Sequence, residues 1–472
     1  MSTSTQSAAA NDSSRIITSR TPISERSSKL RAAIQLLSQA SEQVIAAWEA
    51  DSSSVLPSNS QAPSSAVPSP ELYKARQIIQ GAVGTCLELV EDPQQRLFQV
   101  ASQYHESRAL HIAARAGIAQ ILDEGDKTNG VSIVELSKRT GIKEHKLARV
   151  LRTLCSNHVF AELSDGYFVN NHTSEQMIKN EPFVSFLSFQ GGKPFEASYK
   201  LPDVLFDPIK TQSDSIKSTA LQEAIGMNKT LFEWLEEKTI VLSNGERGPN
   251  PEGKLFALGM VGLGHTQSPP LYSDYPWAEL GDATIVDVGG GVGGMCMDLS
   301  RDYPKLNFVI EDRPSVIDQA LAVWQKECPE ALARAKFLPH DFFIEQPVKN
   351  ADVYILRYIL HDWADDQCVQ ILSALVPVLG PNSRILICDQ VMKPTCDSAY
   401  TNSAPYPLLA NYGFARRWSH ELDLSVMSLV NGRERTAEEL DALARKAGLE
   451  VVKIWECRGV IWITELRVRE QK

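Results

Sequence analysis

Cysteine is sparse in this chain and never clustered. Eight residues, at 86, 155, 296, 328, 368, 388, 396 and 457, are scattered through 472. No Cys-x-x-Cys pair and no Cys/His cluster with zinc spacing occurs, so nothing calls for a metal. Cys155 and Cys388 sit in apolar runs, where a small thiol is ordinary core. Unpaired thiols of this kind point to a reducing compartment, the cytosol. No apolar run is long enough to span a bilayer. The opening MSTSTQSAAANDSS lacks the apolar centre of a secretory signal. Positive charge is also in deficit: Lys and Arg number 47 against 58 Asp and Glu, a net charge of −11. That balance counts against nucleic acid or an anionic membrane as the main partner.

The length exceeds one typical domain. Residues 1–28 read as a disordered tail. Residues 29–94 form a helical N-terminal extension: Leu30, Ala33, Ile34, Leu37, Val44 and Trp48 recur at helical spacing. Within it the Ser/Pro-rich stretch 51–70 reads as a linker. A helix set before a linker must bury its apolar face, on a later domain of its own chain or on a second subunit. Helical pattern resumes over 71–125 with a break at Asp92-Pro93.

Residues 95–180 end in a short helix (Val134 to Arg139), a turn at Gly141 and a second helix (Glu144 to Leu154). A hairpin follows around Asp165-Gly166. Together these make a winged helix. Lys143, Lys146, Arg149 and Arg152 would suit DNA binding. The acidic chain and the apolar helices on both sides favour packing and dimerisation instead. Residues 181–270 are helical and rich in aromatics (Phe183, Phe186, Phe189, Phe195), either ordinary core or the lining of a substrate pocket.

From 271 to 472 strands alternate with helices. ATIVDV (283–288), NFVIED (307–312), ADVYILRY (351–358) and RILICDQV (384–391) read as parallel strands. EVVKIWEC and VIWITELRV close the chain as an antiparallel hairpin. The fold class expected is α/β: a C-terminal Rossmann-like domain, whose closing antiparallel pair fits a methyltransferase sheet better than a dehydrogenase sheet, behind a mainly helical winged-helix dimerisation domain. The first strand runs into VDVGGGVGG. Its Gly289, Gly291 and Gly294 fit the GxGxxG of dinucleotide sites. Asp287, Gly289, Gly291 and Gly293 fit DxGxGxG, and an acid in the last strand turn suits a cationic amino-acid end better than a pyrophosphate. Asp312 ends the next strand, placed to accept ribose hydroxyls.

YPWAELGDATIVDVGGGVGG, HDFF, ADVYILRYILHDWADDQCVQIL and NGRERT resemble the caffeic acid/isoflavone-type plant O-methyltransferases and their fungal secondary-metabolite relatives. The resemblance spans about residues 95–470, and residues 1–94 depart from the plant pattern. It implies S-adenosylmethionine as cofactor, no metal, a homodimer and a phenolic small-molecule acceptor. It makes His361 the catalytic base, with Glu434 and Asp389 as its supporting acids; Asp389 stands where plant members carry Glu. Asp341 and Phe342 are matched to the adenine, and Arg357 replaces a plant Lys near the cofactor. Met427 matches a methionine that packs on the acceptor, and Asn431 is a further candidate contact. Two other readings share parts of the pattern. An NAD-dependent oxidoreductase would use the glycine loop and Asp312, and a DNA-binding regulator would use the winged helix.

Overall fold

A computed structural model describes residues 22–53, 67–241 and 245–469. The first helix, α1, spans Ile23–Ser53 and so begins inside the stretch expected to be a tail. The remainder of that tail and most of the 51–70 linker lie outside the described residues. On α1 the buried face is Ala33, Ala40 and Val44. Ile34 and Trp48, expected on that face, are 52% and 59% exposed: Ile34 lies about 100° round the helix from Ala33, and Trp48 lies one turn beyond Val44, past the covered part of the face.

Helix α2 (Pro70–Val90) starts where Ser69 accepts the Leu72 N–H and Pro70 needs no hydrogen bond. It packs along α1 and then on the catalytic domain of its own chain. Ala82 joins Leu408 and Tyr412 in one cluster, and the Tyr73 hydroxyl donates to the Gly459 carbonyl at 3.1 Å. Of the two expected resting places for the extension, this is the catalytic domain.

The break at Asp92 is a helix cap, its carboxylate accepting the N–H groups of Gln94 and Gln95. The winged helix forms as expected, with helices Ile133–Thr140 and Glu144–Ser156 and the hairpin Phe160–Ser164 and Tyr167–Asn170. A two-residue strand, Val131–Ser132, completes its small sheet. Arg152, one of the four basic residues offered for DNA, is tied to Glu162 and Asp165 at the hairpin.

Helices α3 (Glu181–Gln190), α4 (Lys193–Phe206) and α5 (Pro251–Gln267) fill the middle segment. Phe186 and Phe189 are buried core, with the Phe189 and Phe256 rings packed edge to face at 5.2 Å. The catalytic sheet holds β1 (Thr284–Val288), β2 (Asn307–Asp312), β3 (Ala335–Pro339), β4 (Val353–Arg357), β5 (Arg384–Met392), β6 (Leu449–Trp455) and β7 (Ile461–Val468). Their order across the sheet is β6-β7-β5-β4-β1-β2-β3. The five strands from β1 to β5 run parallel, and β7 lies antiparallel between β5 and β6. Strands buried on both faces carry near-continuous apolar runs, as in Ile285, Val286, Tyr354, Ile355 and Leu386. Strand order reverses between β1 and β4, so a crevice opens there at the carboxyl ends of the strands. Helices α6 (Asp365–Leu375) and α7 (Arg417–Val430) flank that end.

Candidate active site

The turn after β1 is shaped by a buried acid. Asp287 is 3% exposed and accepts the Cys296 thiol at 3.2 Å. Burial pushes its carboxyl up to about 6, against the pull of the Cys296 hydrogen bond and the Arg357 charge. A Cβ at Gly290 would come within 2.5 Å of that carboxylate, so only glycine fits. Cβ atoms at Gly291 or Gly294 would meet nothing within 4 Å: the loop offers bare backbone to open space. Beneath it, the Trp324 indole donates to the Val292 carbonyl at 3.0 Å.

Asp312 sits at the end of β2 with Oδ2 on the Gly291 N–H at 2.9 Å, so strand end and loop are joined. Phe342 approaches Gly289 and packs on Phe343 and Trp363. The Asp341 side chain is turned to its own backbone, accepting the Phe343 N–H at 3.0 Å. Arg357 closes the opposite side. It donates to Ser268 Oγ at 2.6 Å, lies over the Tyr358 ring, and keeps its buried Nε unpartnered among the described residues.

Just beyond β4 the backbone at Tyr358 takes a φ of 55°, which a bulky aromatic seldom adopts. Two hydrogen bonds keep it there. Its N–H donates to Asp389 Oδ1 at 2.8 Å and to the Cys388 carbonyl at 3.3 Å. A 3-10 turn, Leu360–Asp362, then presents His361, whose ring stacks on Tyr358 at 5.3 Å.

His361 is 12% exposed, and its Nδ1 lies 2.8 Å from Glu434 Oε1. A carboxylate only accepts, so Nδ1 carries the proton and Nε2 is left to exchange one. Nε2 lies 3.5 Å from Asp362 Oδ1. Burial alone would lower the basicity of the ring. Asp362, Glu434 and Asp389 together outweigh burial and lift it to about 10. Burial raises Asp362 and Asp389 to about 6 each. Gln390 donates to Glu434 Oε1 at 3.2 Å, and the Glu434 N–H donates to Asp423 Oδ1 at 2.8 Å.

The loop bearing Glu434 touches the histidine turn directly. Arg433 donates its backbone N–H to the His361 carbonyl at 2.7 Å, and any Cβ at Gly432 would collide with that carbonyl.

The expected site residues therefore divide. His361 and Glu434 are in contact, and Asp287, Asp312, Phe342 and the glycines gather around one loop. Asp389 lies close enough to act on His361 through its charge, but its hydrogen bond goes to Tyr358. Asn431, expected to face an acceptor, is committed elsewhere: its amide nitrogen reaches the carbonyls of Ser213, Ser215 and Ser218 at 3.1, 2.9 and 3.0 Å. It stands at the end of α7 with a φ of 52° and ties that helix to the middle segment. Met427 is half-buried on α7, beside Val426, Leu429 and Val430, which pack on Ala197, Val204 and Leu221. Asp362, Asp423 and Gln390 were missed. Asp362 adjoins the histidine in sequence, but the other two reach Glu434 only through the packing of α7 and β5.

The O-methyltransferase domain family matches residues 280–450, and the O-methyltransferase dimerisation domain family matches 98–180. O-methyltransferase gedA of Aspergillus terreus is 42% identical, over 91% of this chain and 94% of that one. O-methyltransferase tpcA of Aspergillus fumigatus is 41% identical, over the same shares of the two chains. The structure of CalO1, a methyltransferase in calicheamicin biosynthesis solved with S-adenosylhomocysteine bound, is similar at 26% identity. It superposes with a TM-score of 0.62, over 80% of this chain and all of that one.

Proposed function

Because the chain belongs to the S-adenosylmethionine-dependent O-methyltransferases, we propose that it methylates a phenolic hydroxyl of a small secondary metabolite, with His361 as base. The observation that carries this reading is the contact of His361 Nδ1 with Glu434, which leaves Nε2 as the proton-exchanging atom.

When bound, S-adenosylmethionine supplies a methyl carbon on a sulfonium, already a good leaving group. The protein's own task is to align an oxygen and remove its proton. The bare backbone at Gly291 and Gly294 leaves room for the cofactor over the loop, and Asp312 has acceptor oxygens for its ribose hydroxyls. Asp287 and Arg357 flank the place for its amino-acid end, with Asp341 and Phe342 at the adenine side. A phenol holds its proton with a pKa of about 10. Against burial, Asp362, Glu434 and Asp389 raise the proton affinity of the His361 ring, which favours transfer of the phenol proton to Nε2. Asp389 supports the ring through charge, and Met427 faces the acceptor from α7.

The middle segment joins both halves of the site, through Ser268 on Arg357 and through its packing on α7. It is the part of the chain best placed to shape the acceptor pocket. The protein acts as a homodimer in this reading. Leu97 and Phe98, 68% and 67% exposed on a helix without a buried residue, await a second copy. No helix of the described residues is long and apolar enough to cross a membrane. Eight free thiols suit the cytosol.

Calorimetric titration with S-adenosylhomocysteine and with NAD, followed by mass detection of a 14-dalton gain (one CH2) on a panel of phenols, tests the proposal. Binding of S-adenosylhomocysteine and methylation of at least one phenol are expected. Binding of NAD alone, or methylation confined to amines, would overturn it.

A further inference from the structure

Arg435 has no part in the assignments above, yet its side chain is only 3% exposed. A buried guanidinium is stable only when its donors are matched. Here the partners are concentrated in one short stretch of chain. Nη1 donates to the Leu360 carbonyl and Nη2 to the Trp363 carbonyl, each at 2.7 Å. Nε and Nη2 both donate to Asp365 Oδ1, at 3.2 and 3.0 Å. Leu360 and Trp363 bracket His361-Asp362. The fork thus spans the turn that carries the imidazole and anchors it to the first residue of α6.

The other end of Arg435 is equally fixed. Its backbone pairs in parallel register with Val391 of β5. It follows Glu434 directly, so one rigid dipeptide grips both the ring of His361 and the backbone around it. The Glu434 contact and the Arg433 N–H on the His361 carbonyl hold the ring and one backbone atom of the turn. Arg435 adds the two carbonyls that bracket them and so limits rotation of the whole turn.

We infer that Arg435 is a positioning residue for His361: it fixes the carbonyls on either side of the histidine and so sets the direction of Nε2. The inference rests on His361 being the base. Lysine could not replace it, because a single ammonium cannot span two carbonyls and a carboxylate as a planar fork does.

The test uses the full-length variants Arg435→Lys and Asp365→Asn, with three readouts. For Arg435→Lys, kcat should fall on the order of 10²-fold, while the dissociation constant of S-adenosylhomocysteine and the acceptor KM stay close to wild type. The His361 titration, followed without acceptor by NMR of 15N-histidine-labelled protein, should move to lower pH as the Glu434 contact loosens. Methylguanidinium should restore part of kcat in Arg435→Lys and none in Glu434→Gln. A folded Arg435→Lys with wild-type kcat and wild-type His361 titration would overturn the inference. So would loss of S-adenosylhomocysteine binding in parallel with kcat, which marks a general structural role. Should Arg435→Lys fail to fold, Asp365→Asn decides. It removes the anion that steadies the fork, together with the charge that the same oxygen offers to Arg433, at a position 42% exposed. A smaller fall in kcat with the same shift in titration supports the inference, and no change in either overturns it. If the wild-type enzyme methylates no phenol but the NMR shift occurs, the positioning role stands and the assigned reaction falls.

Discussion

Glu434 Oε1 meets His361 Nδ1 at 2.8 Å, and the second oxygen of that fully buried glutamate has no partner among the described residues. The ring and the acid form a couple whose charge is not shared out to solvent. Removing either member should therefore act on proton transfer and leave the glycine loop alone.

His361→Ala should abolish turnover, a general base being worth roughly 10²–10⁴-fold. The affinity for S-adenosylhomocysteine should be nearly unchanged. Calorimetry on the variant is the check, and loss of cofactor binding would count against the role given to His361.

The pH dependence follows from the carboxylates around the ring. With the imidazole lifted to about 10, its base form is scarce at neutral pH and grows as pH rises. The acceptor kcat/KM should climb about tenfold per pH unit on the acid side of that pKa. Glu434→Gln removes one raising charge, so its climb should begin and level off at lower pH. Initial rates of both proteins from pH 6 to 10 decide the matter; superimposable profiles would assign the limb to the phenol.

Gly290→Ala should weaken cofactor binding and lower the melting temperature together. The added methyl falls 2.5 Å from the Asp287 carboxylate, which sits on a rigid strand and cannot retreat. Thermal melts with and without S-adenosylhomocysteine measure both effects, and a variant that binds normally would place the ligand away from this turn.

Glu311 provides a stability test away from the chemistry. It is 1% exposed, accepts from Gln346 at 2.8 Å, and burial pushes it up to about 7. A carboxyl raised in the folded state favours folding below its unfolded pKa and loses that contribution as pH rises toward the folded one. The loss amounts to about 3 kcal/mol at most. Glu311→Gln is neutral throughout, so wild type should lose melting temperature relative to it between pH 5 and 8. Parallel melting curves across that range would refute the argument.

Much of this was legible in the chain. Parallel strands buried on both faces must be apolar throughout, and the strand ends at Asp312 and Arg384 are where the pattern puts them. The glycine loop declared itself because backbone that must approach a ligand and an acid at once has few alternatives to glycine. Partners remote in sequence were the hard part. Asp389 looked like a hydrogen-bonding support for His361, but the left-handed turn at Tyr358 claims its oxygen. Asn431 looked like an acceptor contact, but its cap position aims it at carbonyls more than two hundred residues earlier in the chain. Asp423 gave no signal at all, since its use depends on where α7 lies against Glu434. Helical spacing on α1 could not separate an inward isoleucine from an outward one, because Ile34 adjoins Ala33 near the border of the buried face.

The hydrogen bond from Tyr73 to Gly459 joins positions 386 residues apart. On a ribosome adding about 5–20 residues per second, α2 emerges roughly 20–80 s before its partner exists. Until Leu408 and Tyr412 are made, the apolar side of the α1–α2 pair that later packs on them has neither to cover. These two helices are thus made long before the surface on which they dock, and during synthesis their apolar side stays uncovered.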